Sequence, residues 1–277
     1  MPYLHSRIRF RSHFQTEVAW GLGLASLEAP ASGNSSSIRE NFSMSRLFTE
    51  KDFTYEKISD VWEGFIDQYD LSRRIEVLVE DFLGRTRIEG KSCLDCGCGL
   101  GFFTMALMKY RPSRMVSVDI SPSLVKQVGN RDQRIEALVA DIMELDNILP
   151  EMFDLVISSE VIEHTPDPRI ATMQISKRVK KGGFLVISCP NLKWVWLLKL
   201  ANMLGLRKKY SGYENWVHPD ELTKWINESG FEILRKEGLH FIPWHGIPKF
   251  MHRKIDQKLC KSNYLNGINL AILAQKK

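Results

Sequence analysis

The sequence predicts an α/β protein built on a doubly wound, mostly parallel sheet. Three observations predict it. Short apolar runs of strand length alternate with helical patterns from residue 93 onward. A glycine-rich turn, Asp95-Cys96-Gly97-Cys98-Gly99-Leu100-Gly101, joins the first run to a helical pattern starting at Phe102. Later runs end in acids, Asp119 and Asp141, where an open parallel sheet gathers its ligands.

Ahead of the first strand, Ile58, Val61, Trp62 and Phe65, then Ile75, Leu78, Val79 and Phe82, have the spacing of amphipathic helices. Arg73 and Arg74 on this stretch are either anion contacts or solvated surface charges. Glycines at every second position after Asp95 let a strand turn sharply into a helix. They also let backbone approach a ligand with no Cβ in the way. The register excludes the dinucleotide fingerprint G-x-G-x-x-G. Its third glycine falls on Phe102 in one frame and on Thr104 in the other. The second strand, Met115 to Val118, ends in Asp119-Ile120. A carboxylate there accepts ribose hydroxyls in nucleoside-binding folds or caps the next helix. Ile135 to Val139 reads as the third strand, leading to Ala140-Asp141-Ile142, and Phe153 to Ser158 as the fourth. A helix over Arg169 to Val179 and a Lys180-Lys181-Gly182 turn lead to a fifth strand, Gly183 to Ser188.

An acid two residues before three alternating glycines resembles the cofactor loop of class I S-adenosylmethionine-dependent methyltransferases. The resemblance implies that Asp95, Gly97, Gly99 and Gly101 hold the methionine end of the cofactor. Asp119 with Ile120 would hold the ribose, Asp141 with Ile142 the adenine, and Ser159 would complete the contacts. In the same family helices before the first strand roof the cofactor, so Arg73 and Arg74 become candidates for its carboxylate.

With 277 residues, 44% of them hydrophobic and 26% charged, the chain is ordinary for one elaborated globular domain. A formal charge of +5 suits an anionic surface without demanding one. No apolar run is long enough to span a bilayer. The five cysteines lack zinc-site spacing, and their odd number fits packed thiols in a reducing compartment. Residues 1–43 read as a flexible extension, with Gly/Ser-rich and small residues from Ala31 to Ser37. The expected location is cytoplasmic, either free or peripheral to a membrane. An Arg-rich, acid-poor start leaves a mitochondrial transit peptide as the alternative.

After the fourth strand comes Glu160-Val161-Ile162-Glu163-His164-Thr165-Pro166-Asp167-Pro168. If this stretch is helical, Glu160, Glu163 and His164 share one face. His164 then suits general-base work on a hydroxyl acceptor. The same three side chains suit Mg²⁺ or Zn²⁺, or merely cap and bridge locally. The stretch, with Ser188-Cys189-Pro190-Asn191, Trp216 to Leu222 and Gly238 to Pro243, resembles the ubiquinone-biosynthesis O-methyltransferases. The resemblance, running from about Ile58 to Ala274, implies a seven-stranded Rossmann-like methyltransferase fold; the domain is expected over residues 44–277, with a lid or membrane-contact insert near 191–215. The resemblance also implies oxygen methylation of a phenolic, catechol or prenylated acceptor. One departure stands out. The family's Thr-His pair before the F-x-x-P-x-E-L segment is replaced by Ser211-Gly212-Tyr213-Glu214, which puts a metal in doubt unless Glu214 or Tyr210 substitutes.

From Trp194 to Lys209, tryptophans and leucines followed by Arg207-Lys208-Lys209 suit either a lid over the acceptor or a helix at an anionic membrane surface. No RNA-binding motif accompanies them, so no nucleic-acid partner is expected. Readings left open are a sugar or lipid-headgroup acceptor and a non-catalytic cofactor-binding partner protein.

Overall fold

The computed structural model describes residues 67–203, 213–241 and 248–277. The proposed extension 1–43, the Ile58–Phe65 part of the leading helix, Tyr210, Arg207-Lys208-Lys209 and Ile242-Pro243 lie outside the described residues.

Chain order begins with α1 (Gln68–Ile75), whose first amides are capped by Asp67. It runs on into a π-helical turn, Glu76–Asp81, before the short α2 (Gly84–Ile88). The expected apolar positions Leu78, Val79 and Phe82 are buried in one core with Ile75 packed against it, but on a helix that widens. Val77, Leu78 and Val79 are all buried, too wide an apolar face for one regular stripe, and the Phe82 amide donates to the Val77 carbonyl at 3.0 Å. Then come β1 (Ser92–Cys96), α3 (Phe102–Met108), β2 (Arg114–Asp119), α4 (Pro122–Arg131) and β3 (Ile135–Val139). After α5 (Leu145–Ile148) follow β4 (Phe153–Ser159) and α6 (Pro168–Lys177), the latter capped by Asp167 with Pro168 in its first turn. The remainder is β5 (Val179–Pro190), α7 (Val195–Met203), α8 (Pro219–Glu228), β6 (Phe231–Leu239), α9 (Lys249–Ser262) and β7 (Asn269–Lys276).

The strands form one seven-stranded sheet in the order β3-β2-β1-β4-β5-β7-β6. Strands β1 to β5 pair in parallel, and β7 runs antiparallel between β5 and β6. The fold class is as the sequence predicts. Alternate residues feed two cores. Leu94, Val116, Val156 and Leu185 face one side, and Cys93, Met115, Leu155 and Val186 the other. All five cysteines are free and buried, as packed thiols should be.

The fifth strand starts earlier than the sequence suggests, at Val179 rather than Gly183, and α6 ends at Lys177. Val179 pairs with Phe153 and Phe184 with Leu155, so the intervening residues form an irregularity instead of a free turn. Gly183 belongs there because a Cβ would lie 2.8 Å from the Asp154 carbonyl oxygen.

The order 3-2-1-4-5 reverses between β1 and β4. Ligands of open parallel sheets bind outside the carboxyl ends of the strands at such a reversal.

Candidate functional site

The carboxyl end of β1 opens into a loop whose glycines are all left-handed, with φ of 76°, 50° and 77° at Gly97, Gly99 and Gly101. Space is as restrictive as torsion. A Cβ on Gly97 would stand 2.5 Å from the Val161 γ-carbons, and one on Gly101 2.8 Å from Val128 Cγ2. The glycine loop therefore lies directly against the segment that follows β4. Its root is fixed by Gly97 and Cys98 amides donating to the Val118 carbonyl at 2.8 and 2.9 Å. Asp95 is turned away from the loop into the protein. Its Oδ2 accepts the Thr104 hydroxyl at 2.6 Å, and Thr104 also meets Ser117 Oγ at 2.8 Å. Burial pushes the Asp95 carboxyl up to about 7, against the pull of the Thr104 hydrogen bond. Asp95 thus ties β1 to α3 and supports the cradle from behind.

Asp119, at the end of β2, accepts the Gly99 amide on Oδ2 at 2.8 Å and the Ser121 amide on Oδ1 at 3.0 Å. The cap of α4 is Ser121, not Asp119. Each carboxylate oxygen accepts more than one hydrogen bond, so a carboxylate that holds the glycine loop can also take ribose hydroxyls. Ile120 beside it is half-buried. Asp141 caps a short 3-10 turn through the Met143 amide at 2.8 Å, and Ile142 is buried within that turn. The sheet brings Asp119, Ile120, Asp141, Ile142, Gly97, Gly99, Gly101 and Ser159 to one edge.

Beyond β4 the expected shared face of Glu160, Glu163 and His164 does not form. Only Ile162–His164 makes a 3-10 turn, and Glu160 stands before it with φ 56°. That left-handed backbone turns Glu160 toward β5 and β7. Its Oε1 accepts the Ser188 hydroxyl at 2.9 Å and its Oε2 the Asn269 side-chain amide, while Ser188 also meets Ser159 Oγ at 2.9 Å. Glu163 is buried beneath the turn with its Oε1 3.8 Å from His164 Nε2. Desolvation, then the neighbouring Glu163, pushes Glu160 up to about 7. Desolvation above all drives Glu163 up to about 8, with the backbone and Arg74 opposing it. Among the described residues no three His, Cys, Asp or Glu side chains are grouped to hold a metal ion, which corrects the metal set Glu160, Glu163 and His164. Both Glu160 oxygens accept protein donors, and burial favours the neutral form of Glu163. Glu214 is exposed and reaches Glu163 only through its field.

His164 is about a quarter exposed, and its Nδ1 lies 2.9 Å from the Tyr213 carbonyl oxygen. A carbonyl only accepts, so Nδ1 carries the hydrogen and Nε2 is the basic nitrogen. The Asn215 amide on the Glu163 carbonyl at 2.8 Å and its side chain on the Thr165 carbonyl at 2.7 Å clamp this turn from outside.

The two neighbouring arginines of α1 part company. Arg73 is buried among acids, 2.9 Å from Asp256, 3.3 Å from Glu76 and 3.5 Å from Glu237, and cannot reach a cofactor. Arg74 is paired with Asp70 through two nitrogens, and its field acts on both Glu160 and Glu163. Neither is the solvated surface charge that the sequence left open. Of the lid segment, α7 is described, and Trp196, Leu200 and Met203 on it are exposed. Trp194 stacks on Trp196 and meets Phe241 edge-on. Asp70 and Asn269 carried no signal in the sequence, since nothing local says that the one meets His240 and the other Glu160.

A family model described as a methyltransferase domain matches residues 68–236, more than half of the chain. A ubiquinone biosynthesis O-methyltransferase of Coxiella burnetii is 30% identical over 166 residues, 56% of this chain and 70% of that protein. One from Xylella fastidiosa is 26% identical over 232 residues, 78% of this chain and 89% of that protein. Among solved structures, a magnesium protoporphyrin IX methyltransferase from Synechocystis with bound SAH superposes with a TM-score of 0.59 at 17% identity. It covers 82% of this chain and 98% of that one. A possible histamine N-methyltransferase from Thermotoga maritima gives 0.60 at 18% identity, covering 81% and 99%. These structures share the fold.

Proposed function

Given that the chain belongs to the methyltransferase-domain family and is an S-adenosylmethionine-dependent methyltransferase, we propose that it methylates an oxygen of a phenolic, catechol-like or prenylated small molecule, with His164 taking the acceptor proton. The cofactor's fit rests on the left-handed glycine loop at the carboxyl end of β1, whose Gly99 amide Asp119 holds and which packs without Cβ atoms against Val161 and Val128. Gly97, Gly99 and Gly101 would lie against its methionine end, Asp119 against the ribose and Ile142 against the adenine. Arg74 is the cation of the roof helix that suits its carboxylate. When bound, S-adenosylmethionine supplies an electrophilic methyl group on a sulfonium.

The observation that carries the reading is the fixed tautomer of His164. With Nδ1 committed to the Tyr213 carbonyl, Nε2 is the nitrogen that can accept a proton from an approaching hydroxyl. Glu160, held by Ser188 and Asn269, orients the acceptor side of the loop. The reading also draws on relatives named for O-methylation, and on α7, whose exposed Trp196 and Met203 suit a greasy acceptor or an anionic lipid surface.

The test is transfer of labelled methyl from S-adenosylmethionine to catechols and prenylated phenols, with and without chelator. Transfer that persists in chelator and falls ~10²–10⁴-fold in His164→Ala, with S-adenosylhomocysteine affinity unchanged, is the expected result. Cofactor binding with no transfer to any phenol would overturn the acceptor assignment and favour a sugar or lipid headgroup.

A further inference from the structure

His240 follows β6 and is fully buried, on left-handed backbone at φ 58°. A non-glycine residue holds that conformation only where its surroundings dictate it. Two hydrogen bonds dictate it here. The imidazole Nε2 lies 2.9 Å from Asp70 Oδ1 on the roof helix, and the His240 carbonyl accepts the Ile268 amide at 2.9 Å. The same Asp70 Oδ1 accepts the Arg74 Nε hydrogen at 3.0 Å, and Asp70 Oδ2 takes a second Arg74 nitrogen. Tyr69 and His252 pack their rings 6.0 and 5.8 Å from the imidazole and meet each other at 2.8 Å through Tyr69 Oη and His252 Nδ1. Next to Ile268, Asn269 donates to Glu160.

We propose that His240 is a positioning residue for the site: through Asp70 it holds the Arg74 guanidinium over the loop after β4. The proposal rests on the reading of Arg74 as the anchor of the cofactor carboxylate, and it adds the device that aims that anchor. Asp70 alone leaves two torsions free on the surface of a helix, and a bidentate arginine follows wherever its carboxylate turns. The imidazole fixes the carboxylate from the body of the sheet, 170 residues away in sequence. One side chain thereby joins the roof helix to the strand end. Its own carbonyl joins that same point to the entry of β7 and hence to Glu160.

Calorimetric titration with S-adenosylhomocysteine tests this in wild type, His240→Asn, His240→Gln, Arg74→Ala and the His240→Asn/Arg74→Ala double variant. Asparagine tolerates left-handed backbone but is too short to reach Asp70, so it removes the contact and keeps the turn. Glutamine extends far enough to place an amide donor near the position of Nε2. The expected result is about a tenfold loss of affinity in His240→Asn. Most of it should return in His240→Gln, with no further loss when Asn is added to Arg74→Ala. Equal losses with and without Arg74, or a change in melting temperature alone, would make His240 merely structural and overturn the proposal. Wild-type affinity in Arg74→Ala would instead overturn the reading of Arg74 itself. Should Arg74→Ala fail to fold, Asp70→Asn takes its place, and its loss must not add to that of His240→Asn.

Discussion

At the scale of single residues, the site separates groups that look interchangeable in sequence. Arg73 and Arg74 are neighbours, yet one is locked among Asp256, Glu237 and Glu76 and the other pairs with Asp70, where its field acts on Glu160 and Glu163. Arg73→Ala should cost ~3–5 kcal/mol by leaving buried acids without their cation, read as a shift of the urea midpoint. Asp95 carries a pH signature of its own. Its carboxyl is raised from 3.8 to about 7, so the native state holds a proton that the unfolded chain gives up. Its contribution to stability is therefore fully present below pH ~4. It is lost as pH rises through about 7, at a slope of ~1.4 kcal/mol for each step of one in pH between those limits. Asp95→Asn keeps an acceptor for Thr104 and cannot ionise. It should match wild type near pH ~4 and exceed it by ~4 kcal/mol at pH ~8, measured by urea titration across that range. A difference that does not change with pH would refute the assignment.

At the scale of elements, the glycine loop and the loop after β4 behave as one unit, because each supplies the wall of the other. Gly97→Ala meets both a φ of 76° and the Val161 γ-carbons at 2.5 Å. We expect a stability loss of ~1–3 kcal/mol and weaker S-adenosylhomocysteine binding, and Val161→Ala in the same chain should recover part of both. Asn191 plays a similar part at the end of β5. It is fully buried, and its side-chain amide donates to the Gly267 carbonyl at 2.9 Å while its own amide donates to the Ile268 carbonyl at 2.8 Å. It fastens the entry of β7, from which Asn269 reaches Glu160. Asn191→Ala should lower turnover as well as stability. Unchanged turnover at equal folded fraction would show that β7 needs no such fastening.

At the scale of the whole molecule, strand order decides where everything meets. Because the sheet reverses between β1 and β4, the glycine loop, Asp119, Asp141 and the Glu160–His164 segment leave the sheet at one edge. A ligand that spans them binds only the assembled sheet, so S-adenosylhomocysteine at ~100 times its dissociation constant should stabilise the fold by ~2.7 kcal/mol, read by thermal shift. Among the described residues no helix is long and apolar enough to cross a membrane. The sequence by itself determined the parallel α/β sheet, the glycine loop with its flanking acids and the membership that follows from them. These are periodic or contiguous signals, written in residues that are neighbours in the chain. Tertiary structure alone decided the rest. It turned Glu160 toward Ser188 and Asn269, dispersing the metal set expected from spacing, and it buried Arg73 while leaving Arg74 at the site. It also brought His240 to Asp70 and the Tyr213 carbonyl to His164. Each of these depends on a backbone torsion or a partner between 28 and 183 residues distant, where local spacing has no physical hold.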